Sequence, residues 1–413
     1  MTTMSVLRSC GIVRRMKISQ QHFAFLLAAL SAIGPFAIDT YLPAFPEMAQ
    51  QLGTSALHIQ QTLTFYLVPF GFMMLWHGTL SDALGRRRII LAGLLLFALG
   101  SLVCAFANCI EVLWLGRALQ GISSGVGMVV GRAMVRDVLQ GAHAQRLMAK
   151  VAILFAIAPA VSPIVGGYLL RFYDWRGIFI FLALFAGILF AACLAWLPET
   201  LAVEKRQSLH PVKLLQAYQD MLSHGLFNRL ALTSAFTFNA FFIYVVAAPV
   251  FLIRHLGLTP QSFAVMFVPQ VIGMMIGSFL SGRFAGRLTH RRTIVISLSI
   301  MAFAASLNLI INLTLPPGLP WSILPLPIFA CGMSLSMPNL QLLVLDLFPE
   351  RRGLTSSTMS AISTLVGALS TALLVPLLWD STLGLSLGMA GFLMLGVISF
   401  ALARPSDEAH AGA

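Results

Sequence analysis

The chain has 413 residues and a formal net charge of +12, with 58% hydrophobic residues and only 10% charged ones. So little charge does not cover a water-soluble globule of this size, which places the chain in a membrane. Its apolar runs are continuous rather than alternating with period two, which excludes a β-barrel.

Crossing ~30 Å of hydrocarbon takes roughly 20 helical residues. Runs of that length occur at 22–46, 59–81, 89–107, 111–133, 147–170, 177–197, 227–252, 261–283, 293–313, 320–343, 354–379 and 382–402, numbered here spans 1 to 12. The expected fold is therefore an all-α integral membrane protein of twelve transmembrane helices with almost no room for a soluble domain. The basic residues follow the links. Arg8, Arg14, Arg15 and Lys17 precede span 1, Arg86, Arg87 and Arg88 follow span 2, and Arg132, Arg136, Arg146 and Lys150 surround the link from span 4 to span 5. Lys205, Arg206, Lys213 and Arg229 fill the central link; Arg283, Arg287, Arg291 and Arg292, then Arg351 and Arg352, and finally Arg404 continue the series. The alternate links hold only Arg171, Arg176 and Arg254. This bias puts both termini in the cytoplasm and accounts for the net charge without nucleic acid. Residues 1–21 are expected to be a cytoplasmic segment rather than a removable signal peptide, with Met16 an alternative start.

The one sizeable hydrophilic interruption, 198–225, divides the helices into six and six: bundles at 22–197 and 226–403, a cytoplasmic linker between them, and a tail at 404–413. An internal echo supports two halves, since Gly78-Thr-Leu-Ser-Asp-Ala-Leu-Gly-Arg-Arg-Arg88 after span 2 compares with Gly282-Arg-Phe-Ala-Gly-Arg-Leu-Thr-His-Arg-Arg292 after span 8. Parallel repeats of six spans are a transporter plan, with the binding site near the midplane between the halves.

In chain order, the first notable group is Asp39, the only acidic side chain well inside a long apolar run. An ionisable group in hydrocarbon marks a function and calls for a partner. In Gly78 to Arg88, glycines permit a tight turn, and Asp82 can pair with a cation at a helix end; the plainer alternative is a basic loop that only fixes topology. Span 4 carries Arg117, the only basic residue deep in a run, which either snorkels to the interface or faces Asp39. With Asp39 about seven residues below the outer end of span 1 and Arg117 about six into span 4, both lie roughly 10 Å deep at 1.5 Å rise per residue. That makes them candidate partners, directly, through Gln120 or through water. Span 5 combines Pro159, Pro163, Gly166 and Gly167, which bend a helix and let a neighbour pack on bare backbone. Span 7 clusters Phe236, Phe238, Phe241, Phe242 and Tyr244 around Asn239. Core or lipid packing competes here with a binding wall that would also take Phe36 and Tyr41 of span 1 and Met333, Met337 and Asn339 of span 10.

Four stretches carry a family resemblance. Gly78-x-x-x-Asp82-x-x-Gly85-Arg86-Arg87-Arg88 resembles the loop motif of the major facilitator superfamily, and Arg117-Ala-Leu-Gln120-Gly121 resembles its span 4 motif. Ala158-Pro159-Ala-Val-Ser162-Pro163-Ile-Val-Gly166-Gly167 resembles the antiporter motif, with Ser162 where the family usually has glycine. Asp39-Thr-Tyr-Leu-Pro43-Ala-Phe-Pro46 is similar to the first-span signature of Bcr/CflA-type drug:proton antiporters. The resemblance covers almost the whole chain. It implies that Asp82 and Arg86 form a cytoplasmic latch between the halves and that Arg117 is tied to proton coupling. It also implies that the span 5 surface meets span 8, where Gly273-x-x-x-Gly277 offers small residues, to prevent leak.

The function expected is a proton-coupled antiporter of a bacterial inner membrane that exports lipophilic drug-like or small metabolite molecules, acts as a monomer, and needs no cofactor or metal. No phosphate-cradling glycine pattern supports an ATP-driven pump. A proton-coupled nutrient importer, an integral-membrane enzyme and a passive channel are the rivals. The enzyme lacks a catalytic set, because His22, His58, His77, His143, His210, His224, His255 and His290 lie near span ends or links and His410 in the tail. Cys10, Cys104, Cys109, Cys193 and Cys331 show no metal-binding spacing.

Overall fold

A computed structural model describes residues 20–139, 141–206 and 211–403. The basic residues before Gln20, the alternative start Met16, His143's side chain, His210 and the tail with Arg404 and His410 lie outside the described residues. Among the described residues there is no strand, as hydrocarbon demands: a chain there must satisfy its own backbone polar groups, and helices do so locally.

Among the described residues twelve helical rods account for the spans. They are α1 (Gln20–Asp39), α2 (Ala56–Leu84), α3 (Arg86–Ala105), α4 (Ile110–Ser124 and Val126–Val138), α5 (Gly141–Leu169) and α6 (Trp175–Trp196). The second set is α7 (Gly225–Val246), α8 (Ala264–Phe284), α9 (His290–Thr314), α10 (Pro325–Leu347), α11 (Arg352–Leu369, prolonged to Leu378) and α12 (Thr382–Leu402). Ten segments among the described residues are long and apolar enough to cross a membrane by length and composition, and α4 and α5 are the rods outside that set. The reason is local. Gly125 breaks α4 into 15- and 13-residue pieces, while the described apolar stretch of α5 is Ile157–Leu169 in a sequence that is apolar from Val151 on.

The pairings repeat. In the first six rods α1 packs on α5, α4 on α2 and α3, and α3 on α6; in the second six α7 packs on α11, α10 on α8 and α9, and α9 on α12. Adding six to every number converts one set into the other, the signature of a parallel repeat. Two seams join the bundles, α2 against α11 and α5 against α8, and the same rule exchanges them.

At the end away from the arginine-rich links, both seams are closed by side chains on backbone. Gln60 Nε2 donates to Thr371 O (3.0 Å) and Gln61 Nε2 to Ala372 O (3.1 Å), while Gln261 Nε2 donates to Gly167 O (3.3 Å). The Ala372 carbonyl is available because Pro376, four residues on, has no N–H to give it, and the helix relaxes there into a π segment, Ser370–Leu374. At the arginine-rich end, a cavity of about 370 Å³ separates α2 and α4 from the start of α11.

The linker contains a helix, Pro211–Ser223, where the hydrophilic composition gave only a connection. It straps the arginine-rich end: Tyr218 Oη donates to Leu75 O of α2 (2.6 Å), and Asp220 reaches Arg351 before α11 (3.5 Å). That ion pair is exposed and contributes little. Burial pushes the Tyr218 phenol above its ordinary value, so it stays protonated and donating through the neutral range and past the usual pKa of about 10. Tyr218→Phe should speed amide exchange in 211–223 by about two- to tenfold, the equivalent of ~0.5–1.5 kcal/mol for one hydrogen bond, with no change in that ratio between pH 6 and 8. Exchange mass spectrometry on detergent-solubilised protein reads both.

Candidate functional site: a buried arginine and a seam-side carboxylate

The site begins where α1 stops. Pro43 cannot donate to the carbonyl of Asp39 and its ring crowds it, so the helix ends at Asp39 and the chain continues through a 3-10 turn, Leu42–Ala44, into the short helix Phe45–Gln51. The continuous span expected to residue 46 is therefore broken at its carboxylate. The last carbonyls of α1 have lost their helical donors, and Arg117 supplies one. Its Nη1 donates to Ala37 O (2.9 Å) and to Gln120 Oε1 (2.6 Å), and its Nε reaches Thr62 O (3.5 Å).

Arg117 is 0% exposed, which removes the snorkelling alternative. Its guanidinium is sandwiched between the rings of Tyr41 (4.4 Å) and Tyr66 (4.5 Å), an arrangement favourable to a desolvated cation. Polarity then fixes the neighbours. An arginine only donates, so Gln120 must present its oxygen; its Nε2 donates to Ser101 Oγ (2.7 Å), which donates to Phe97 O (2.8 Å). Thr62 donates to Ile59 O (2.5 Å), so the Tyr41 hydroxyl donates to Thr62 (2.9 Å). One donor remains over: Arg117 Nη2 is buried without a partner. Gly121 makes the approach possible, since a Cβ there would lie 2.2 Å from Tyr66 O.

Asp39 is 5% exposed. Among the described residues it forms no ion pair with Arg117, so the direct pairing suggested by equal depth is not what the structure holds: the arginine takes the backbone two residues earlier. Ser162 of α5, the residue that replaces the family's usual glycine, lies beside Asp39 and donates its Oγ to Ala158 O (2.8 Å). One residue beyond Asp39, Thr40 O packs on Gly166, where a Cβ would lie 1.7 Å away; the next residue, Gly167, meets Pro260 O of the other bundle at 2.6 Å by the same measure. The carboxylate and the seam thus share one turn of α5. Gly273 and Gly277 do not face α5 as expected. They abut Pro327 O and Cys331 O of α10, so their small-residue face is internal to the second bundle.

The loop motif is also internal. Gly85 turns the chain at φ +102°, a conformation open to glycine, and seats Arg86 at the start of α3. Arg86 pairs with Asp82 (2.6 Å) and Asp137 of α4 (3.1 Å), and its Nη1 donates to Ser81 Oγ (2.6 Å). Its backbone N–H donates to Glu199 Oε1 (3.0 Å), and Thr200 Oγ1 donates to Asp137 (2.9 Å). Among the described residues every partner of Asp82 and Arg86 belongs to the first bundle or the stretch just after it, so in this conformation they do not latch the halves together. Gly78 opens the motif one turn before Asp82 and lines the same cavity.

The suggested binding wall disperses. Phe36 packs on Phe181 (6.2 Å) and Phe185 (5.4 Å) of α6, and Tyr41 belongs to the arginine cage. Phe238 and Phe242 do stack on α7 (5.6 Å). Asn239 instead bridges helices, donating to Ser363 O of α11 (3.0 Å) and Ala235 O (2.8 Å). Met333 is buried in the core of α10. Asn339 joins Ser281 (3.3 Å) and His290 (2.9 Å) at the meeting of α8, α9 and α10. Residues not singled out by sequence are Gln60 and Gln61, whose adjacency at the head of an apolar run was the available signal, and His77. The latter is 2% exposed inside α2, where its Nε2 donates to Ile122 O (2.9 Å), just before the α4 break.

The chain matches the Major Facilitator Superfamily over residues 25–371. It is 32% identical to an uncharacterized MFS-type transporter, YdgK, of Bacillus subtilis, covering 84% of this chain and 86% of the relative. It is 27% identical to a bicyclomycin resistance protein homolog of Haemophilus influenzae, covering 92% and 95%. Among solved structures, a D-xylose-proton symporter is similar in fold, with TM-score 0.73 and 15% identity, covering 94% and 98%.

If bare backbone at α4 and α5 holds the site together, Gly121→Ala and Gly166→Ala should each lower stability by about 1–3 kcal/mol, the cost of overpacking. Gly187→Ala, with nothing within 4 Å of its Cβ, should stay within about 0.5 kcal/mol of the parent. Unfolding midpoints in detergent check all three.

Proposed function

The chain belongs to the Major Facilitator Superfamily, and from that premise we propose that it is a proton-coupled antiporter. It exports lipophilic drug-like or small metabolite molecules across a bacterial inner membrane by alternating access, as a monomer with both termini cytoplasmic. Its working units are the bundles 22–197 and 226–403, with 198–225 as the cytoplasmic linker. The bicyclomycin-resistance relative supports drug export as the direction.

The observation that carries this reading is the placement of Asp39. A carboxylate at a helix end, buried and one residue from the contact that passes through Gly166 and Gly167 to the second bundle, changes its surroundings whenever that seam opens. Proton affinity follows hydration and the distance of a cation. Arg117, with one donor unused, is the cation at hand. Opening the seam would admit water and substrate to Asp39, and the proton would leave as substrate binds.

With the arginine-rich links on the cytoplasmic side, the hydrogen-bonded end of the seams is outer and the cavity is inner, an inward-open arrangement. The intra-bundle pairing of Arg86 suits that state. Closing the inner end would bring the start of α11 against the α2–α3 loop, where Asp82 and Arg86 could exchange partners. Asp82→Asn should therefore depress transport with little change in the amount of protein in the membrane.

The coupling test uses purified protein and bicyclomycin. Wild type should release protons on drug addition; Asp39→Asn should bind drug and release none. In cells, an uncoupler should raise bicyclomycin accumulation to the level of cells lacking the transporter. Proton release from Asp39→Asn with wild-type pH dependence would move the coupling acid elsewhere, with Asp346 the next carboxylate to test.

A further inference from the structure

We propose that the cavity at the arginine-rich end receives the anionic group of a lipophilic organic acid on Arg132 and Arg136, making the intake site selective for amphiphiles with one negative charge. This deepens the export reading and rests on it.

The charge inventory carries the argument. Three arginines, Arg86, Arg132 and Arg136, and two carboxylates, Asp82 and Asp137, line the cavity. Arg86 engages both carboxylates, at 2.6 and 3.1 Å. That leaves Arg132 and Arg136 without an ion pair among the described residues. They are four apart on α4, so both project from one face, and like charges so spaced oppose each other unless a counter-charge joins them. Topology does not require this: the positive-inside bias is met by basic residues anywhere in the link, and need not turn two of them into a cavity.

The opposite wall complements them. The first turns of α11 present Ser357 and Ser360, and the N-terminus of that helix favours negative charge. Gly353 lies on this wall across from Arg136, a Cβ there being in ordinary contact, 4.0 Å, with Arg136 Nη1. Two guanidinium forks facing hydroxyls suit a carboxylate or sulfonate, which accept such donors in pairs.

Size and polarity complete the ligand. The cavity, about 370 Å³, falls within the roughly 300–1,000 Å³ of small-molecule sites. Arg132 is also a wall of a second pocket, about 110 Å³, formed with Leu27, Met128, Val135, Met148 and Val151. The cavity and this mostly apolar recess share Met128 and Arg132 as walls, which puts apolar surface next to the arginine that would hold a charged head.

Equilibrium dialysis of purified protein with 1-naphthoate and its neutral counterpart 1-naphthamide tests this. Wild type should hold the acid at least about tenfold more tightly than the amide. Arg132→Gln and Arg136→Gln should each lose about tenfold in naphthoate affinity, Arg132→Lys, which keeps the charge but not the paired donors, should lose less than Arg132→Gln, and melting midpoints identify any variant that is merely misfolded. Equal binding of acid and amide by wild type, or undiminished naphthoate binding by both folded glutamine variants, would overturn the proposal. An anionic phospholipid headgroup has the same chemistry, so phosphatidylglycerol is added as competitor and naphthoate export is followed in proteoliposomes. Export of naphthoate supports the intake site; displacement by phosphatidylglycerol with no export assigns the arginines to lipid and refutes it. The bicyclomycin assay keeps the two readings apart. No effect of wild type on bicyclomycin accumulation rejects drug export, whereas lowered accumulation without acid preference rejects only the present inference.

Discussion

A guanidinium inside a membrane protein must be surrounded by acceptors before the rest of the fold can close over it, and Arg117 shows what that requires. Its acceptors come from three helices: the Ala37 carbonyl of α1, the Thr62 carbonyl of α2 and Gln120 on its own α4. Two tyrosines cover its faces. Each provision has a local cause. Pro43 ends α1 where a carbonyl is needed, and Gly121 lets α2 come close enough for its backbone to serve. Removing the charge would strand the same groups as unsatisfied acceptors in a low-dielectric interior. The motif around Arg117 is thus a joint between α1, α2, α3 and α4.

Prolines shape the second recurring device. Each proline in a helix releases the carbonyl four residues earlier, and in hydrocarbon that carbonyl needs another donor. Pro376 frees Ala372, which Gln61 takes from across the seam. A feature that weakens one helix becomes a tie between bundles, and the π segment at Ser370–Leu374 is its visible trace.

Much of this was legible in the sequence, and the division is physical. Hydropathy, proline and glycine report on one helix at a time, so the twelve rods, the six-plus-six plan and the burial of Asp39 and Arg117 could be read directly. What one helix cannot report is the direction in which a residue faces. Equal depth suggested that Arg117 pairs with Asp39, whereas the arginine turns to Ala37 O. The Gly273 and Gly277 face was real, yet its neighbour is α10. Phe36 and Asn339 lie at plausible depths but point into helix junctions. α4 illustrates the limit of hydropathy itself, since Arg117, Arg132 and the break at Gly125 are what functional rods have and apolar averages penalise.

The two ends of the seams differ in the kind of bond that holds them, and the difference bears on energy. At the end away from the arginines, three side-chain amides donate to carbonyls across the bundles. Neutral hydrogen bonds of this kind contribute ~0.5–1.5 kcal/mol each, a few kcal/mol together. One elementary charge crossing a membrane at 100 mV is worth about 2.3 kcal/mol. The two magnitudes are of the same order, so closure of this end lies within the range that a membrane potential or a bound ligand can shift. At the other end Asp82 and Asp137 are paired with Arg86 inside their own bundle, so in this conformation these carboxylates add no tie across the seam.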